Sequence, residues 1–135
     1  MKVRLWFVLG GVFVVTMAGL PALAHHSFAA EFDRSKPVTV TGTVTKVEWA
    51  NPHARFYIDV KDETGKVNNW DFELASPNGL MRRGWTRNSL KVGDVVTVTG
   101  WAAKNSSYVG NTSTVTLSDG RKVFAGSSAE NETNP

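Results

Sequence analysis

The stretch Val38–Val60, VTVTGTVTKVEWANPHARFYIDV, decides the fold class. Valines alternate with threonines from Val38 to Val47. After a break at Asn51-Pro52-His53, Phe56, Ile58 and Val60 resume the same period of two. Alternating β-branched residues mark strands with one buried and one wet face. A Pro and an Asn between two such runs mark a connection between antiparallel neighbours.

Working outward, strand 1 is expected over Val38–Trp49, with Gly42 placing a bulge or bend near its middle. Strand 2 is expected over His53–Lys61 and strand 3 over Lys66–Leu74, joined by an Asp62-Glu63-Thr64-Gly65 hairpin turn. At Ser76 the period changes. A Ser before a Pro is a helix N-cap followed by its first position, so a short helix is expected around Leu80 and Met81, broken at Gly84. Strand 4 follows at Val95–Ala103, where Gly100 echoes Gly42, then strand 5 at Thr112–Leu117 and a short sixth strand at Lys122–Ala125. Three strands, a helix, then two strands and a terminal piece is the order of an OB-fold. The expected class is therefore all-β, a small OB-fold-like antiparallel barrel of five to six strands with one short helix between strands 3 and 4. An open β-sandwich is the rival arrangement.

The first 24 residues stand apart from this pattern. Lys2 and Arg4 precede an apolar run from Leu5 to Val15, and Ala22-Leu23-Ala24 is a small-x-small cleavage signature, together the marks of a secretory signal peptide. The expected location is periplasmic or secreted, with the membrane met only through the signal before cleavage. No cysteine is present, so a lipid anchor and disulfides are both excluded. The remaining plan is an arm over residues 25–37, a barrel domain over 38–126 and a polar, disordered tail over 127–135. In the arm, Phe28 and Phe32 are spaced to pack on one helical turn.

The signal also carries two of the 15 Lys and Arg, leaving 13 against 12 Asp and Glu and a mature net charge of +1. That balance gives little support to a nucleic-acid partner.

The segments HHSFAAEFD, VTGTVTKVEWANPH, SPNGLMRRGWTRNSLKVGDVVTVTGWAAK and LSDGRKVFAG together resemble the DUF6152 family of exported bacterial proteins. The resemblance spans residues 25 to 126, and its NPH, SPN-x-L-x-R-x-GW and DGR-K-V-F elements are specific. It implies an exported single-domain protein of small-barrel type and brings no activity with it.

Functional candidates therefore come from residue chemistry. Cleavage after Ala24 makes His25 the mature N-terminus, whose α-amine and ring nitrogen form a chelating pair. A further imidazole completes a copper site, and nitrogen donors suit Cu(II). All three histidines, His25, His26 and His53, lie in the mature chain, and Glu31, Asp33 or Glu48 could add a carboxylate. His53 is an equally good turn-capping residue, and reach is a difficulty. It stands at the far end of strand 1, on the order of 35–40 Å from Val38 at ~3.3 Å per residue.

The second candidate is a metal-free surface for a small anionic or sugar ligand, or for a periplasmic protein partner. It would use Arg55 and Tyr57 on strand 2 and the cluster Arg82, Arg83, Trp85 and Arg87, since arginine grips carboxylates and phosphates in a bidentate fork. Phe56, Trp70 and Phe72 fall in the buried phase, and the cluster reads more readily as a solvated face with Trp85 over the barrel end. Catalysis finds no nucleophile–base pair: Ser27 beside His26 lacks an orienting third group, and Asp71 with Glu73 reads as a solvated strand face. A binding protein is expected, and no enzyme.

Overall fold

The Val/Thr alternation around Gly42 produces one long strand that serves two neighbours. The computed structural model describes residues 28–124. The expected signal peptide, His25 and His26, and the tail from 127 lie outside the described residues. A four-residue helix α1 (Phe28–Glu31) leads into β1 (Phe32–Glu48). Then come β2 (Arg55–Lys61), β3 (Val67–Glu73), helix α2 (Pro77–Arg82), β4 (Val95–Ala103), β5 (Val109–Leu117) and β6 (Lys122–Phe124).

Strand β1 runs for 17 residues and begins at Phe32, six residues earlier than its pattern suggested. It pairs with β4 from Phe32 to Thr43 and with β2 from Thr43 to Glu48, so the handover falls at Gly42–Thr43. A Cβ on Gly42 would lie 2.3 Å from the Asp59 carbonyl oxygen, so only glycine lets the strands cross here. Gly100 does the same on β4. A Cβ there would sit 1.8 Å from the Asn111 carbonyl oxygen, and the β4–β5 register shifts between Thr99 and Gly100.

The sheet order is β3-β2-β1-β4-β5-β6, and an additional β3–β5 pairing closes the first five into a barrel. That closing pair is parallel, Asp71–Glu73 against Val109–Asn111, while every other pair is antiparallel. With α2 between β3 and β4, the molecule is an OB-fold-like barrel. The closure removes the sandwich alternative.

The inward residues of each strand fill the barrel: Val44, Phe56, Ile58, Phe72, Leu74, Val96, Val98 and Val115 are all buried. Leu80, Trp85 and Leu90, from α2 and the turns after it, belong to the same core. The Ser76 hydroxyl accepts a hydrogen bond from the Gly79 amide at 3.2 Å, with Pro77 opening the helix, as the Ser-Pro pair predicts.

A second cluster is separate from this core. Phe28, Phe32 and Ala103 are buried together, with Trp101 and Val109 against them. The Phe28 ring lies 5.5 Å from Phe32 and meets Trp101 edge-on at 5.4 Å. The Lys104 amide donates to the Glu31 carbonyl at 2.9 Å, and its ammonium reaches the Ala29 carbonyl. The arm is thereby fastened to the end of β4. Among the described residues no helix is long and apolar enough to cross a membrane.

Candidate functional site

Register decides which outward side chains meet. Across the barrel, Glu48 stands opposite Arg55, Arg55 opposite Glu73, Glu73 opposite Asn111, and Asn111 opposite Trp101. One step along, Lys46, Tyr57 and Asp71 form a parallel row. Directly paired residues share a face, so β1, β2 and β3 present a polar outer surface while Phe56 and Phe72 fill the inner one.

Arg55 is the hub of that surface. It holds Asp71 through two hydrogen bonds, Nε to Oδ1 at 2.8 Å and Nη2 to Oδ2 at 3.1 Å, and reaches Glu73 Oε2 with Nη1 at 3.3 Å. The Tyr57 hydroxyl donates to Glu48 Oε2 at 3.1 Å, and Lys46 pairs with the same carboxylate. The Lys46 ammonium also lies 5.2 Å from the centre of the Tyr57 ring. Hydrogen bonds from Lys46 and Tyr57 hold Glu48 below its ordinary pKa, while burial, the Asp71 charge and the bond to Glu48 raise Tyr57.

His53 extends the same face. The β2–β3 ladder continues past the strand ends, with the Ala54 amide bonded to the Ala75 carbonyl and the Leu74 amide to the Ala54 carbonyl. His53 is therefore fixed beside Glu73, with Nδ1 at 4.0 Å from Glu73 Oε1. That separation is too long for a hydrogen bond. His53 Nδ1 is buried and has no hydrogen-bond partner among the described residues. A fifth of the side chain remains exposed, through atoms other than Nδ1.

Glu73 is the unexpected member. Its side chain is only 7% exposed. Burial raises its pKa, His53 and Arg55 lower it, and the charges of Glu31 and Asp71 raise it further. The solvated-face reading of Asp71 and Glu73 is thus corrected for Glu73, because β5 pairs alongside β3 at this point. No sequence signal marks that burial, which depends on a contact between strands far apart in the chain.

The Glu31 charge acts on Glu73, which bears on where α1 lies, while His25 and His26 are outside the described residues. The α1 arm packs on Trp101, which is separated from Glu73 by one strand, so arm and His53 share one end of the barrel. Of the other carboxylates considered as ligands, Asp33 accepts from the Ser35 amide and hydroxyl, and Glu48 is held by Tyr57 and Lys46. Among the described residues no three His, Asp or Glu side chains converge on one point.

The second residue set is dispersed. Arg55 is engaged by two carboxylates and Tyr57 by Glu48. Trp85 is 3% exposed and part of the core, so it offers no stacking face to a ligand. Arg82, Arg83 and Arg87 are exposed on α2 and the turn after it.

A family model matches residues 13–113, and its description is a family of unknown function, DUF6152. The chain belongs to the DUF6152 family. No curated protein matches this DUF6152 chain. Among solved structures, the crystal structure of the mitochondrial single-stranded DNA-binding protein of S. cerevisiae is similar to it. The TM-score is 0.48 at 12% identity, over 62% of this chain and 93% of that one. A likeness at that level carries no functional argument.

Proposed function

We propose that this is an exported, periplasmic protein that binds Cu(II) through His25, His26 and His53, and that it binds without catalysing a reaction. The observation that carries this reading is His53. Its ring is fixed at the barrel end where α1 is fastened, with a buried nitrogen turned to a buried carboxylate. His26 precedes Phe28 by two residues and His25 by three, so the covalent chain allows at most roughly 7 and 11 Å from that anchored ring's backbone. Imidazole and amine donors select Cu(II) among divalent first-row metals.

The alternative is a metal-free surface for a small anionic or sugar ligand or a protein partner; with Arg55 and Tyr57 held by carboxylates and Trp85 buried, it rests on Arg82, Arg83 and Arg87. Nucleic acid is not expected: Lys46 and Arg55 on the β1–β2–β3 face are already bound to carboxylates, leaving little to attract phosphate. The test is titration of the protein as released by its own signal, after its mass is determined. A His25 start with one-to-one Cu(II) binding, abolished by one extra residue before His25, supports the reading. A different start, or affinity no better than a histidine-bearing peptide, overturns it.

A further inference from the structure

We propose that the cleft where three turns meet, at 86–89, 91–94 and 118–121, binds a phosphate-type oxyanion. The site is independent of the copper reading and uses none of its residues. One wall is the Asp119-Gly120-Arg121 element of the sequence, which that reading leaves without a role. Three observations carry the proposal.

The first is the cavity. Asn88, Ser89 and Lys91 from the chain after α2, Asp94 at the entry to β4, and Ser118 and Arg121 from the β5–β6 turn line a cleft of about 160 Å³, with Val95 and Leu117 among its walls. That is room for roughly five waters at ~30 Å³ each, enough for a phosphate group and part of an ester.

The second is preorganisation. Each turn is fixed by its own groups. The Thr86 amide donates to the Ser89 hydroxyl oxygen at 2.8 Å, the Lys91 amide to Asp94 Oδ2 at 2.9 Å, and the Arg121 amide to Asp119 Oδ1 at 3.0 Å. Among the described residues no hydrogen bond joins one of these turns to another, so the space between them is held open by walls that are each already set. A ligand entering it meets little ordering cost.

The third is the balance of hydrogen-bonding groups. Arg121 Nε donates to Asp119 Oδ2 at 2.6 Å, so Asp119 has both oxygens occupied and Asp94 has one. Those bonds leave the two Nη groups of Arg121, the Lys91 ammonium and the Asn88 amide unpaired among the described residues. Two cations and two carboxylates cancel in charge, yet the side-chain donors left over outnumber the acceptors left over. Such a lining takes an acceptor ligand, and charge-assisted bonds from arginine and lysine favour an anion. The donors come from three separate turns. A tetrahedral anion, with oxygens pointing in several directions, answers them better than a planar carboxylate.

The test is a ¹H–¹⁵N NMR titration of the protein as released by its own signal, with inorganic phosphate and then with glycerol 3-phosphate, at an ionic strength held constant with chloride. Saturable shifts confined to the amides of 86–94 and 117–121 are expected. Tighter binding of glycerol 3-phosphate would assign the site to phosphomonoesters, and tighter binding of inorganic phosphate to the free anion. Lys91→Gln and Arg121→Gln should each weaken binding about fivefold, the scale of one exposed charge pair. Arg82→Gln, which removes an equal charge from α2, should leave binding unchanged. All three residues are exposed, so the variants keep the fold. Shifts that rise without saturating, shifts scattered over the basic surface, or an equal loss in Arg82→Gln would each overturn the proposal.

Discussion

The barrel has two outer faces built from the same strand pattern, and they differ in what holds them. Over β1, β4 and β5 the register sets Thr39 opposite Thr99 and Thr99 opposite Thr114, with Thr41, Thr97 and Thr116 in the next row. A hydrogen bond between the Thr41 and Thr97 hydroxyls, at 2.8 Å, joins two of these side chains. Strand propensity and solvation account for such a face, since a β-branched residue with a hydroxyl suits a wet strand. The face over β1, β2 and β3 carries Lys46, Glu48, Arg55, Tyr57, Asp71 and Glu73 instead, each with a charged or polar partner and one of them buried. Neither propensity nor solvation asks for a buried glutamate beside a histidine. On the proposed reading the second face is the functional one, and the first is explained without a function.

The comparison can be broken from either side. The largest effect is expected where the arm is fastened. Phe28→Ala removes a ring that is 1% exposed and should cost about 3 kcal/mol in chemical denaturation. By loosening α1 it should also weaken Cu(II) binding, although Phe28 cannot itself bind the metal. A stable variant with intact copper affinity would separate the arm from the site. Next comes Arg55→Ala, which strips Glu73 of its hydrogen-bond donor and frees Asp71. A loss of about 2 kcal/mol is expected, because a nearly buried carboxylate is left without its cation. A neutral outcome would show that water takes over the role of Arg55.

On the threonine face, Thr99→Ala should change stability by no more than about 0.5 kcal/mol and leave Cu(II) affinity unchanged. A copper effect from Thr99 would erase the distinction between the two faces.

The smallest effect concerns pH. Asp62 accepts hydrogen bonds from the Thr64 hydroxyl and amide and from the Lys66 amide in the β2–β3 turn, and the first of these chiefly lowers its pKa. The unfolded chain then binds more protons between the lowered and ordinary pKa values, so stability falls as pH drops through that window. Stability measured from pH 7 down to 3 should show wild type and Asp62→Asn converging at the acid end. A constant gap would mean that the carboxylate charge is not what secures the turn.

Much of the fold was legible because it is local. The alternation of Val38–Val47, the glycines at 42 and 100 and the Ser76-Pro77 cap are each a short-range pattern with one steric solution, and each appears in the structure. The start of β1 was not legible. Asp33-Arg34-Ser35-Lys36-Pro37 has no alternation, and it is extended because β4 lies beside it across a register shift. The site divides in the same way. His53 stands out by residue type, and the paired phase of Arg55 and Tyr57 shows that they point outward. The burial of Glu73 and the approach of α1 both depend on the parallel β3–β5 closure, a contact between residues more than thirty positions apart. Trp85 follows the reading that packs it against the barrel beside a solvated arginine face: it is buried in the core after α2, while Arg82, Arg83 and Arg87 are exposed.

The account stands most directly on His53 as a metal ligand. Competitive Cu(II) titration of the mature protein beginning at His25, compared with its His53→Ala variant, puts that to the test. The account predicts one tight equivalent in wild type and at least a tenfold weaker one in the variant, with the threonine-face variant Thr99→Ala indistinguishable from wild type. Equal affinity in wild type and His53→Ala would contradict it, leaving copper at most to the N-terminal histidines and the β1–β2–β3 face without the role proposed for it.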